Sequence, residues 1–295
     1  MDIEIQTTIA KLHENEVLAG ERFAFGRNWA SFLRLLNDER IEQAERSLCE
    51  MLEVNDLRQR TFLDIGSGSG LFSLAARRLG ATVFSFDYDS NSVACTCELK
   101  HRYFPNDENW TIQQASVLDE DYVRSIGRFD VVYSWGVLHH TGEMWKALKN
   151  AGDAVENDGM LFIAIYNDTG SQSRRWRWIK RTYCKLPSPL KVPFTILTIA
   201  PGEAKRLLSH VVEGRPLEYL RSWREYRNAR GMDHWSDIID WVGGYPYEVA
   251  TADQIFDFYK KMNFQLKKLK TGGVGLGCNE FVFEKVGGIV EAKMA

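Results

Sequence analysis

The chain has 295 residues, 44% of them hydrophobic and 26% charged, which is enough apolar material for a full core in one elaborated domain. A formal net charge of -3 gives no overall attraction to polyanions, so bulk charge does not point to a nucleic-acid partner. Neither a run of about 18 apolar residues nor a basic-then-apolar leader opens or interrupts the sequence, and the five cysteines, odd in number, show neither CxxC nor a paired metal spacing. A cytoplasmic protein with reduced thiols is expected.

Taken in order, residues 9–58 read as helical, with Phe32, Leu35 and Leu36, then Leu48, Met51 and Leu52, at one-face spacing among charges. Within them Arg22–Phe32 (RFAFGRNWASF) is aromatic-rich, and it reads equally as a lid over a ligand or as a helix packed on the sheet edge. Arg27, Asn28 and Trp29 are its residues of interest. The period then changes. Short apolar runs at Thr61–Ile65, Thr82–Phe86, Trp110–Gln113, Val131–Ser134 and Met160–Tyr166 alternate with helical stretches, the pattern of a parallel sheet built from βαβ units.

After Tyr166 that rhythm stops for about eighty residues. An insertion, mostly helical and rich in arginine and tryptophan, is expected there, ending near Gly243–Pro246. The α/β pattern resumes with a helix over Thr251–Met262, opened by a threonine cap, and with strands at Phe264–Lys270 and Glu280–Glu284 that form an antiparallel edge pair. The expected division is an N-terminal helical lid (1–58), an α/β core (59–167), the helical insertion (168–247) and the completion of the core (248–295).

The segment FLDIGSGSGLFSLAARRLGA sets a buried strand against Asp64, Gly66, Ser67, Gly68 and Gly70, and then an amphipathic helix. Glycines at such a turn let the backbone approach a ligand where any Cβ would collide. A dinucleotide fingerprint needs G-x-G-x-x-G, and here Leu71 occupies the third glycine's place. An acid two residues before the first glycine would also repel a pyrophosphate. Asp64 suits a cationic ligand instead.

DIGSGSG resembles motif I of the class I S-adenosylmethionine-dependent methyltransferases, and FSFDYDSNSV resembles the segment after their second strand. The resemblance covers residues 61–166 and 250–284 and is nearest to the ubiquinone-methylase-like small-molecule group. It implies a doubly wound Rossmann-like α/β fold with a seven-stranded sheet, N-terminal helices and a helical insertion after strand 5. It implies S-adenosylmethionine as cofactor, with Asp87 on the ribose hydroxyls, Tyr88 against the adenine, and Ser116 and Val117 at the adenine edge. A carboxylate can accept both hydroxyls of a cis-diol. Asp89 is a competing acid, read in preference as the cap of the following helix.

In VVYSWGVLHHTGE, Trp135 and both histidines fall at the C-terminal end of the fourth strand, where open α/β sheets bind ligands. The resemblance implies a histidine general base here, His140 in preference to His139, acting on a hydroxyl of a small-molecule acceptor. Helix capping is the competing role, proximity alone could suffice, and N- or C-methylation or a non-catalytic cofactor-binding module stay open. The paired Asp/Asn ligands of a magnesium-dependent catechol methylator are absent, so no metal is expected. Trp29, Tyr166, His234, Trp235 and Tyr245 are candidate acceptor contacts, the last three from the polar-aromatic stretch 231–251. Between Arg174 and Lys191 lie seven basic residues and no acid, interleaved with Trp176, Trp178 and Tyr183 and followed by VPFTILTIAP. A peripheral membrane contact, a phosphate on the acceptor and a plain solvated helix face all fit that stretch.

Overall fold

The computed structural model describes residues 3–26, 29, 33, 36–215, 217–219, 221, 234–273 and 275–287. Among the described residues, α1 (Ile3–Leu18) and α2 (Asp38–Leu52) precede the sheet. The alternating region then runs β1 (Thr61–Ile65), α3 (Leu71–Arg78), β2 (Thr82–Asp87), α4 (Ser90–Tyr103), β3 (Trp110–Gln114), α5 (Glu120–Ser125), β4 (Phe129–Trp135), a 3-10 turn at Leu138–His140, α6 (Met144–Asp153) and β5 (Val155–Tyr166). Among the described residues there follow α7 (Ser171–Lys185), α8 (Ser188–Val212) and α9 (His234–Gly243), and then α10 (Ala252–Lys261), β6 (Phe264–Lys270) and β7 (Cys278–Lys285).

The seven strands lie in the order β3-β2-β1-β4-β5-β7-β6. All neighbours are parallel except β7, which runs antiparallel between β5 and β6. Side chains alternate across a strand, so adjacent residues enter opposite layers. Leu63, Val132 and Ile163 pack on one face with Leu148 of α6 and Ile255 of α10. Phe62, Val131 and Phe162 pack on the other with Leu48 of α2 and Leu74 of α3. Burial on both faces is why the strands read as near-continuous apolar runs.

Strand order reverses at β1, which pairs with β2 on one side and β4 on the other. Loops leaving the C-terminal ends of these two neighbours diverge there and open a crevice, the usual ligand position in such sheets. The observed strands match the expected runs, with three starting earlier: β4 at Phe129, β5 at Val155 and β7 at Cys278. The extra β5 residues include Asp158 in the left-handed region, beside a register shift between Phe129 and Val131. A bulged edge of that kind carries no alternating signal.

The helices after β5 have a small core of their own, in which Ile179, Tyr183, Cys184 and Val242 are buried. Phe23 of the N-terminal segment packs against it, and its N–H donates to the Tyr245 carbonyl at 2.8 Å. The basic stretch is therefore not uniformly a solvated face. Lys180 is buried, its ammonium donates to the Trp241 carbonyl, and it lies 4.4 Å from the Trp241 ring centroid and 5.0 Å from that of Tyr247. Burial pushes its pKa down to about 7.

Candidate functional site

A cavity of about 450 Å³ occupies the crevice at the strand-order reversal. Its floor is the loop from β1 to α3. Gly66 takes φ +76°, a conformation that L side chains avoid, and a Cβ there would lie 2.4 Å from the Val137 methyl Cγ1. Gly66→Ala is expected to destabilise the protein by about 2–4 kcal/mol, from backbone strain plus overpacking. A lowered denaturant midpoint with an unchanged slope would check this. Gly70, also at positive φ, caps α3 and does not line the cavity; a Cβ there would approach the Thr96 Cα of α4 at 2.9 Å, so its place is in helix packing.

Asp64, next to last in β1, is fully buried, yet it borders the cavity. A relay orients it: the Trp110 indole N–H donates to Ser85 Oγ at 3.0 Å, Ser85 to Ser73 Oγ at 2.7 Å, and Ser73 to Asp64 at 2.5 Å. Burial outweighs the Ser73 bond and pushes the Asp64 pKa up to about 7, with Asp87 adding to the rise.

Asp87 ends β2. One carboxylate oxygen accepts the Gly68 N–H at 2.9 Å and the other accepts the Asp89 N–H at 2.9 Å. An ionised carboxylate has about four acceptor positions, so roughly two remain for a ligand. Burial pushes this pKa up to about 6. Asp89 caps α4, accepting the Asn91 N–H, and it also accepts the Gly26 N–H at 2.8 Å.

That second bond ties the N-terminal segment across the cavity. The Arg22 guanidinium donates to the His140 carbonyl at 2.9 Å and to Glu16 at 2.6 Å, and it lies 5.0 Å from the Tyr88 ring centroid. Phe25 packs on His140 with ring centroids 4.9 Å apart, and Trp29 lies against Gly68. Arg27, Asn28, Phe32 and Leu35 lie outside the described residues.

Asp64, Gly66, Ser67, Gly68, Asp87, Tyr88, Ser116, Val117, Trp135, Trp29 and His140 all border this one cavity. His139 does not. Its ring lies behind that of His140, centroids 4.6 Å apart, and His139 is fully buried with its ring 4.1 Å from that of Tyr166, whose N–H donates to His139 Nδ1 at 3.4 Å. Tyr166 itself sits among His139, Trp241 and Tyr247, outside the cavity wall. Tyr245 lies beside Phe23 in the small helical core. Trp235 is half-buried on α9, and the side chain of His234 falls outside the described residues.

Tyr133, Arg22 and His13 line the cavity without having been singled out in the sequence. The Tyr133 hydroxyl is buried with no hydrogen-bond partner among the described residues, an orphan of the kind that a bound polar group satisfies. His13 lies 3.8 Å from Asp89, and burial lowers its pKa in spite of that carboxylate. The donor set suits a ligand with a cationic head and a vicinal diol: buried carboxylates at both ends of a glycine-floored cradle and an orphaned phenol in its wall. A pyrophosphate on the glycine floor would meet the carboxylates of Asp64 and Asp87, which would repel it.

The sheet order and this acidic, glycine-floored crevice define a class I S-adenosylmethionine-dependent methyltransferase. Residues 34–191 match the family model described as a methyltransferase domain, more than half of the chain, and the chain belongs to that family. Its cofactor is S-adenosylmethionine. Among individual relatives, the ubiquinone biosynthesis O-methyltransferase of Actinobacillus pleuropneumoniae serotype 5b (strain L20) is 25% identical over 142 residues, 46% of this chain and 56% of the relative. The enzyme of the same description from Glaesserella parasuis serovar 5 (strain SH0165) is 27% identical over 120 residues, 40% of this chain and 50% of its own. The chain thus spans about half the length of these curated relatives. An O-methyltransferase family protein from Burkholderia thailandensis shares the fold at a TM-score of 0.53 and 12% identity, covering 97% of this chain and 70% of that one.

Proposed function

We propose that the chain methylates a hydroxyl oxygen of a small-molecule acceptor, with His140 as the group that takes the hydroxyl proton. The observation behind this reading is the tautomer of His140. Its Nδ1 lies 2.5 Å from the Pro246 carbonyl, an acceptor only, so Nδ1 carries the hydrogen and Nε2 keeps the lone pair, on a ring that forms part of the cavity wall. Burial, with Lys180 and Arg22 adding to it, lowers the His140 pKa to about 3. The ligand-free imidazole is therefore neutral, which leaves Nε2 free to accept a hydrogen bond from the acceptor hydroxyl.

When bound, S-adenosylmethionine supplies an activated methyl group. Asp64 would meet its cationic amino-acid end, Asp87 its ribose hydroxyls, and Tyr88, Ser116 and Val117 its adenine. Phe25 and Trp29 exclude water from the acceptor side, where the aromatic wall suits a phenol or quinone precursor as well as a sugar face. In this reading residues 1–58 act as the lid, 59–167 and 248–295 as the cofactor-binding core, and 168–247 as the acceptor-side insertion. Free cysteines at all five positions accord with a cytoplasmic setting. The exposed bases of 174–191 would meet an anionic group, on the acceptor or on a surface.

His140→Ala is expected to lower kcat by about 10²- to 10⁴-fold with cofactor affinity nearly kept, while His139→Ala acts chiefly on stability. Single-turnover kinetics on a panel of phenols, sugars and amines, with calorimetric titration of each variant, checks both. Unchanged kcat in His140→Ala would remove the base from the reading, and a panel in which amines alone turn over would replace oxygen by nitrogen.

A further inference from the structure

The outward face of α8 (Ser188–Val212) is apolar where a surface helix is normally polar. Thr195 is its one side chain described as buried, and Ile199 and Arg206 lie on the same side. At 100° per residue, Leu190, Ile196, Leu197, Leu207, Leu208 and Val211 fall within roughly 130° of the opposite side. Leu197 is 75% exposed and Leu208 61%, so these are not partly covered core residues. Scattered exposed leucines need no explanation, but a continuous stripe along a helix of 25 residues does.

The charges around the stripe are cationic. Lys205 borders it, and Lys185 ends α7 just before the helix begins, whereas Lys191 turns to the protein side, its ammonium 5.2 Å from the Tyr183 ring centroid. Glu203, the sole carboxylate in residues 188–212, is engaged on the protein side, accepting from the Tyr219 hydroxyl at 2.8 Å and lying 3.8 Å from Arg206. Trp178 on α7 is 64% exposed among Arg174, Arg175 and Arg181. An apolar face rimmed by lysines with an indole nearby is the composition of a helix that lies in the headgroup region of an anionic bilayer. No described helix is long and apolar enough to cross a membrane, so the geometry is that of lying on the surface.

We infer that α8 docks the protein on an anionic lipid surface, its leucine stripe entering the headgroup boundary and Lys185 and Lys205 meeting lipid phosphates. This does not depend on the acceptor or on His140. Flotation of the full chain with phosphatidylcholine vesicles, with and without phosphatidylglycerol, tests it. Binding to the anionic vesicles is expected, weakened by salt and by roughly fivefold for each lysine changed to glutamine. Leu197→Gln/Leu208→Gln should abolish it while helix content and S-adenosylmethionine affinity stay at wild-type values. If that double variant alters the fold, the lysine variants and the salt dependence carry the test. Absence of flotation with anionic vesicles would overturn the inference. So would flotation that neither the leucine nor the lysine changes reduce, or a dimer by light scattering that Leu197→Gln/Leu208→Gln dissociates in a protein that binds no vesicles.

Discussion

Asp87→Ala is expected to weaken S-adenosylmethionine binding by between about 10²- and 10⁴-fold, since two hydrogen bonds to a charged acceptor are worth roughly 1.5–3 kcal/mol each. The two backbone donors from Gly68 and Asp89 already hold the carboxylate still, so its remaining acceptor positions are pre-aimed and a ligand need not order them. Asp87→Asn separates ligand binding from folding. Burial raises the Asp87 pKa to about 6, which means the ionised carboxylate is a burden on the fold in the absence of ligand. The asparagine variant should therefore bind S-adenosylmethionine poorly yet unfold, at pH 8, at no lower a denaturant concentration than wild type. Calorimetric titration beside a denaturation curve reads both, and near-wild-type affinity in the alanine variant would remove Asp87 from the cofactor site.

Affinity for S-adenosylmethionine should rise steeply with pH between about 5 and 7. Asp64 and Asp87 carry pKa values raised to about 7 and about 6, in both cases chiefly by burial. Each must be ionised to serve a cation or to present all its acceptor positions, so affinity falls by up to about tenfold per pH unit for each carboxylate that is protonated. The sign for the ligand-free protein is opposite. A carboxyl with a raised folded-state pKa contributes stability that is fully present below its unfolded value near 4 and is lost as pH rises through 6 and 7. Ligand-free stability should thus decline across the window in which affinity grows. Titration in two buffers of different ionisation enthalpy should show proton release on binding below pH 7. Asp64→Asn should remove the upper part of the dependence, and a pH-independent affinity would contradict the burial of both charges. Because His140 titrates near 3, no step in the rate near pH 6.5 is expected from it.

The strands were legible because local pattern alone makes them. Thr61–Ile65 and Phe264–Lys270 match the apolar runs residue for residue, and Asp89 caps α4 as its position before Ser90 implies. Asp64, Gly66, Gly68 and Asp87 were legible as a motif, which is a local property of one strand-turn-helix and the strand beside it. What stayed hidden depends on residues far apart in the chain. Nothing near Arg22 announces that it reaches the carbonyl of His140, 118 positions away. Lys180 looks like its exposed basic neighbours until the fold buries it against Trp241 and Tyr247. Two adjacent histidines cannot be told apart by sequence, whereas the turn sends one ring to the cavity wall and the other under Tyr166. The apolar side of α8 could be seen as composition, but its direction, outward, is set by which side meets the rest of the protein.

The bond from Gly26 to Asp89 has a kinetic consequence. Asp89 is two residues from Asp87, so if Asp87 holds the ribose as proposed, one short peptide carries both that contact and the tie to the N-terminal segment. If residues 1–58 act as the lid proposed above, lifting the segment from Arg22 to Gly26 to release a ligand would break its Asp89 and His140 attachments. Residence time would then be governed by a segment outside the motif proposed to recognise the ligand. Loosening that segment at Arg22 would quicken exchange of spent cofactor in both directions while leaving the equilibrium constant much less changed, and turnover limited by release would speed up instead of slowing.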